Sequence, residues 1–245
     1  MLKGMGLLDD FQTNIVTAKM NDTMSYLKDG QFVLAFDGWN SVFGDYGGNY
    51  TGKSFDGSSL FFNFTGGSNT ENIAYSGADP AFSFNGAVKF LNVAATRKAI
   101  HIGNLPMGQV DQYHIMIESG DVMNTSKPYI EALLSANLYK VLAYNGNRDA
   151  VVGAQASEAL YSNMNWPGQS LFLDASRVPY RVRPYDKEVA GFARTVIVHG
   201  NQFTRVVIRN AGHMVPADQG RATFDMIDKF ISNQPFHEQT FNSES

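Results

Sequence analysis

The sequence predicts an α/β fold, an open sheet with helices on its faces, joined to a helical and irregular segment. Three observations carry that expectation. Arg205-Val-Val-Ile-Arg209 is a β-branched run closed by Asn210 and Gly212, the pattern of a buried strand ending in a tight turn. Lys140-Val-Leu-Ala-Tyr144 is a second short apolar run, stopped by Asn145-Gly146. Helical periodicity lies between these runs and after them, so strand and helix alternate over residues 139–232.

Each element follows from its local pattern. Residues 1–30 read as helical: Leu7, Leu8, Phe11, Ile15 and Val16 recur at three- and four-residue steps, and a stop falls at Asp29-Gly30. Gln31–Phe36 fits strand or helix. The stretch 31–85 is rich in Gly, Asn, Ser and aromatics, as in Phe43-Gly-Asp-Tyr-Gly-Gly-Asn-Tyr50 and Phe61-Phe-Asn-Phe64. Such composition makes turns and irregular surface, but it is too aromatic for a flexible linker. Residues 1–85 are therefore read as an inserted, lid-like segment and residues 86–245 as part of the α/β domain.

Val88, Leu91, Ala95, Ala99 and Ile100 predict one or two helices, and Pro128–Leu134 a helix opened by Thr125 or Ser126 with proline in its first turn. Residues 153–164 are helical, with Ala156, Leu160 and Met164 in register, whereas 165–188 reads as irregular. Val196-Ile-Val198 and Thr204–Arg209 flank His199-Gly-Asn-Gln202 as a hairpin or strand pair. Beyond His213, Asp218 stands where it would cap a helix with apolar face Phe224, Ile227, Phe230 and Ile231.

Composition bounds the function classes. A hydrophobic fraction of 44% with 13% aromatics belongs to a globular chain. A net charge of -4 without any Lys/Arg run argues against nucleic acid and anionic membranes as partners. No apolar run approaches the roughly 20 residues that span a bilayer. Met1–Asp10 lacks the apolar core and cleavage site of a signal peptide. There is no cysteine, so disulfides and thiolate chemistry are excluded. His101, His114, His199 and His237 have no metal-ligand spacing, and neither metal nor cofactor is expected. Trp39 and Trp166 read as packing anchors.

Chemistry concentrates in two loops. Tyr144-Asn-Gly-Asn-Arg-Asp149 is a strand end, a Gly turn and an acid, and Asn210-Ala-Gly-His213 repeats the plan with a histidine 64 positions later (213 − 149). Read singly, each is a turn residue bonded to nearby amides. As an ordered pair they reproduce the last two members of an α/β-hydrolase triad, which run Ser, Asp, His along the chain. There the acid accepts the imidazole Nδ1–H, fixes the tautomer and steadies the cation formed when the ring takes a proton.

At these residues the chain resembles the C-terminal part of the serine carboxypeptidase family, most of all its vitellogenic-like members. The likeness rests on Val141–Asp149, Val189-Ala-Gly-Phe192, Phe203–Arg209 and Ala211–Gln219, with Arg97–Asn104 and Ser126–Ile130 resembling pieces nearer the middle. Gly6–Asp9 and Leu60–Phe64 have looser counterparts in the family's helical insertion. The resemblance implies an α/β-hydrolase sheet of which residues 86–245 are the C-terminal part. It also implies peptide hydrolysis from the C-terminus, Asp149 and His213 as catalytic residues, and a secreted or lysosomal/vacuolar setting. Peptide or protein C-termini would be the substrate.

The nucleophile is what the sequence lacks. The family's serine sits in a Gly-x-Ser-x-Gly elbow, and no such pentapeptide occurs here; Gly52-Lys-Ser54, Gly57-Ser-Ser59, Gly67-Ser68 and Gly168-Gln-Ser170 lack the second Gly. The expectation is a partial chain, inactive alone, with the N-terminal half of the family fold as a candidate second chain. The alternative is a non-catalytic binding or scaffold remnant. A remote alternative is nucleotide binding through Gly47-Gly-Asn-Tyr-Thr-Gly-Lys-Ser54, which satisfies a phosphate-loop pattern without the strand before it or the helix after it that the chemistry needs. Four glycosylation sequons stand at Asn21, Asn49, Asn63 and Asn124.

Overall fold

A computed structural model describes residues 2–43, 60–65, 70, 72–75, 85–104 and 112–236. The chain forms two compact units: Leu7–Gly67 with Gly77–Asn124, and Met1–Gly6 with Ser68–Ser76 and Thr125–Ser245.

The first unit is helical in its described part. Helix α1 (Asp10–Lys28) opens on a reciprocal cap, Gln12 N–H donating to Asp9 Oδ1 at 2.8 Å and Asp9 N–H to Gln12 Oε1 at 3.0 Å. The ambiguous stretch at Gln31–Phe36 is the start of helix α2 (Phe32–Phe43), which buries Ala35, Phe36, Asn40 and Val42. A β-carbon on Gly38 would lie 2.4 Å from Thr23 Oγ1, so glycine is what lets α2 approach α1. Phe36, Trp39, Phe43 and Phe61 then run ring against ring, centroids 5.9, 5.3 and 6.4 Å apart in turn. Phe61 belongs to helix α3 (Leu60–Thr65). The stretch expected to be irregular thus contains two helices, because its aromatics recur at helical steps even though its composition favours turns. Helices α4 (Asn85–Leu91), α5 (Ala94–Ala99) and α6 (Gln112–Glu118) complete this unit's longer elements, with two helices where one or two were expected over 88–100.

The second unit carries the sheet. Helix α7 (Lys127–Ser135) has proline in its first turn, and Thr125 Oγ1 accepts from Lys127 N–H at 3.2 Å just ahead of it. Strand β1 (Val141–Gly146) leads to helix α8 (Ala154–Ser162), helix α9 (Gln169–Asp174) and strand β2 (Val178–Tyr180). Strands β3 (Gly191–Val198) and β4 (Asn201–Ile208) follow, then helices α10 (Val215–Asp218) and α11 (Gly220–Ile231). The sheet order is β1-β4-β3-β2. β1 runs parallel to β4, Val141 opposite Phe203 and Gly146 opposite Ile208. β3 and β4 form the expected hairpin, turned by His199 and Gly200 with φ of 49° and 85°, the left-handed pair a two-residue turn of right-handed twist requires.

Side chains alternate between two apolar layers. On one face Val206 and Ile208 of β4 and Ala193 of β3 meet Tyr180, Ala222 and Met226. On the other, Phe203 of β4 and Val196 and Val198 of β3 meet Leu134, Met164, Trp166 and Phe172. Phe203 centres the second layer, its ring 5.2 Å from Phe172, 5.6 Å from Tyr161 and 5.8 Å from Trp166.

Two further expectations are corrected. Residues 165–188 hold α9 and β2, elements too short to print a period; β2 exists as a strand through its pairing with β3. Helix α11 does not bury the face Phe224, Ile227, Phe230 and Ile231. Ala222, Thr223 and Met226 are buried, Phe230 is partly so, and Phe224 and Ile231 are 76% and 62% exposed. Ala222 and Met226 form the inward stripe, packed in the layer with Val206 and Ile208, and the bulkier stripe lies outward.

Candidate active site

Because β1 and β4 are parallel neighbours, the loops that follow them leave the same edge of the sheet. The first loop carries Asp149, the second His213, and the structure brings the two together: His213 Nδ1 lies 3.0 Å from Asp149 Oδ2. Asp149 is buried, and its Oδ1 accepts Val152 N–H at 2.9 Å. The His213 side chain is 38% exposed. A buried carboxylate on one ring nitrogen and an accessible ring is the arrangement that lets imidazole exchange a proton at Nε2.

The local sequence makes this contact in several ways. A β-carbon on Gly146 would stand 2.2 Å from the carbonyl oxygens of both Ala211 and Gly212, so only glycine allows the two loops to touch. Asn147 N–H donates to Ile208 O at 3.0 Å and Arg148 N–H to Ala211 O at 2.8 Å, stitching loop to loop. Asn210 turns the chain with φ 58°; its N–H reaches Asn147 Oδ1 at 2.8 Å and its Oδ1 accepts from Arg148 at 2.8 Å.

Asp218 is not the helix cap its spacing implied. The residue before α11 is Gln219, without a side-chain cap bond, and Asp218 turns back to the histidine loop. Its Oδ2 accepts Gly212 N–H at 2.7 Å and Asn72 Nδ2–H at 2.9 Å. Sequence reading missed both Asn72 and the packing role of Gly146. The Asn-Gly pair at 145–146 was the available signal for the second; Asn72 has no local signal, since its partner lies 146 residues away.

Beside Asp149 opens a cavity of about 330 Å³, lined also by Asn147, Gln155, Glu158 and Arg177. Behind it Arg194 meets Glu158 at 2.8 Å, and the buried Arg205 lies 3.7 Å from the same carboxylate. Burial draws the Arg205 guanidinium below its ordinary value, while the neighbouring Tyr161 and Glu158 oppose that shift. Among the described residues no group of three or more acidic, histidine or cysteine side chains is placed to hold a metal ion. No described helix is long and apolar enough to cross a membrane.

Of the sequons, Asn21 in α1, Asn63 in α3 and Asn124 are exposed, and Asn49 lies outside the described residues. The phosphate-loop pattern Gly47–Ser54 also lies outside them. His101 and His199 are surface residues, Trp166 is buried under the sheet, and Trp39 stacks between Phe36 and Phe43.

Comparison with known proteins gives a consistent result. Residues 17–233 match the family described as serine carboxypeptidase. Over 227 residues the chain is 31% identical to a probable serine carboxypeptidase CPVL of Mus musculus, covering 93% of this chain and 44% of that protein. It is 32% identical over 239 residues to a venom serine carboxypeptidase of Apis mellifera, covering 95% and 46%. The chain therefore spans a little under half the length of these relatives. Among solved structures, a prohormone-processing carboxypeptidase, Kex1Δp of Saccharomyces cerevisiae, aligns with a TM-score of 0.63 at 15% identity, over 98% of this chain and 51% of that one. This establishes the α/β-hydrolase fold expected from the two strand-and-loop motifs.

Proposed function

Since this chain belongs to the serine carboxypeptidase family, we propose that it supplies the acid and the base of a peptidase that removes residues from peptide or protein C-termini. The observation that carries the reading is the 3.0 Å contact between His213 Nδ1 and the buried Asp149. Asp149 holds the imidazole with Nδ1 protonated. His213 Nε2 then takes the proton from a serine hydroxyl as that oxygen attacks the peptide carbonyl, and returns it to the leaving amine. The same ring next activates the water that frees the acyl group.

The serine is assigned to sequence outside these 245 residues, either on the same polypeptide or on a second chain carrying the N-terminal half of the fold. Two observations support this: the sequence has no Gly-x-Ser-x-Gly pentapeptide, and the chain matches 44–46% of its relatives' length. Among the described residues β1 pairs on one side only, with β4, so its other edge is open to a further strand. The name of the venom relative and the exposed sequons at Asn21, Asn63 and Asn124 support passage through the secretory route, to secretion or a lysosome.

The test is sequencing of the transcript upstream of the Met1 codon, joined to an assay for C-terminal residue release. A Gly-x-Ser-x-Gly elbow in frame, with activity lost in His213→Ala, is the expected result. Release by the 245-residue chain alone, abolished by His213→Ala, would refute the external serine. The absent pentapeptide also favours a second reading, a non-catalytic binding remnant; a stop codon and promoter directly upstream would select it.

A further inference from the structure

We infer that Asn72 is a positioning residue that clamps the acid loop and the histidine loop into one arrangement, an inference that rests on reading Asp149 and His213 as a catalytic couple. Asn72 is 1% exposed, and its amide is used at both ends. Nδ2–H donates to Asp218 Oδ2 at 2.9 Å, and Oδ1 accepts Ala74 N–H at 3.1 Å, which fixes the rotamer. The Asp218 oxygen it meets also accepts Gly212 N–H at 2.7 Å, one residue before the histidine. The same short segment grips the acid loop from both sides of Asp149: Ile73 N–H donates to Arg148 O at 3.1 Å, and Ala150 N–H to Thr70 O at 2.9 Å.

Arg148 and Ala150 are thus bonded directly to Ile73 and Thr70, and Asn72 reaches the histidine side through the Asp218 carboxylate that it shares with Gly212. Asparagine suits the position because it donates and accepts at once. An aspartate there would set a second carboxylate against Asp218, and an alanine would leave Asp218 with a single donor. The distance it guards matters, since misplacement of a general base by about 1 Å costs roughly a hundredfold in rate.

The test is native-state amide hydrogen exchange on the 245-residue chain and its Asn72→Ala and Asn72→Asp variants. Exchange at Gly212, Ile73 and Ala150 is expected to quicken by about tenfold, the effect of losing one hydrogen bond to a charged group, while Val206 and Ile208 in β4 keep their protection. Unchanged protection at Gly212 and Ala150 overturns the inference, and so does an equal loss at Val206 and Ile208, which would mark Asn72 as a general packing residue. If Asn72→Ala does not fold, the isosteric Asn72→Asp gives the comparison. In the unsubstituted chain, exchange at Gly212 as fast as at the exposed Gly200 turn refutes the clamp without any variant. These readouts do not depend on catalysis. In an assembly that hydrolyses peptides, Asn72→Asp is expected to lower kcat by about tenfold or more with KM unchanged; an assembly indifferent to His213→Ala would instead defeat the catalytic reading and leave the exchange result standing.

Discussion

Gly146 and Asp149 stand three positions apart and serve one contact from opposite directions. Gly146 admits the histidine loop because it has no side chain, and a methyl group there meets two carbonyl oxygens at 2.2 Å. Gly146→Ala is therefore expected to destabilise the sheet unit by about 1–3 kcal/mol, the usual cost of overpacking, and to part His213 from Asp149. Urea denaturation and the imidazole proton resonances measure the two effects separately. Asp149→Asn keeps the shape but offers an amide that can stabilise the wrong tautomer. In an active assembly kcat is expected to fall roughly 10⁴-fold with little change in folding stability, checked by steady-state kinetics beside a melting curve. The pair itself was legible in the sequence because each member follows a strand end and a Gly turn, chemistry written within a few residues. Asp218 was misread for the converse reason: spacing suggested a cap, while its partners are Gly212 and the distant Asn72.

Element by element, three of the four strands left a signal in the sequence, while β2 and the helix faces did not. β1 and β4 are apolar or β-branched runs with clear stops, so they could be read off nearly whole, whereas only Val196–Val198 of β3 (Gly191–Val198) carried that signal. α11 carries two stripes, and the larger residues sit on the outer one. Met226 is fully buried against the sheet, whereas Phe224 is 76% exposed. Met226→Ala is expected to cost about 2–5 kcal/mol, by cavity formation, and Phe224→Ser less than about 0.5 kcal/mol. Chemical denaturation of both variants checks the contrast, and similar costs would reverse the assignment of faces. A period cannot tell which of two apolar stripes is inward; that depends on residues of other elements, here Tyr180, Ala193, Val206 and Ile208, with which Ala222 and Met226 share a core layer.

For the molecule as a whole, alkaline pH is the condition that tests the sheet unit. Burial, and then the hydrogen bond and negative charge of Asp225, push the Tyr180 phenol well above its ordinary value near 10. The hydroxyl lies 2.6 Å from Asp225 Oδ2 and 2.9 Å from Ala222 O. The folded state holds this proton where the unfolded state releases it. Its contribution is complete below about pH 10 and declines as pH rises further, by up to about 1.4 kcal/mol per pH unit for the one proton. Tyr180→Phe is expected to be less stable at neutral pH yet to lose stability less steeply above pH 10, measured by denaturation across that range. The hairpin of β3 and β4 closes through two residues, but β1 finds β4 across 62 positions (203 − 141). Local pairings form early and distant ones late. The acid and the base are therefore expected to meet late in folding, and pulsed hydrogen exchange showing β3 and β4 protected before β1 is the result that checks it.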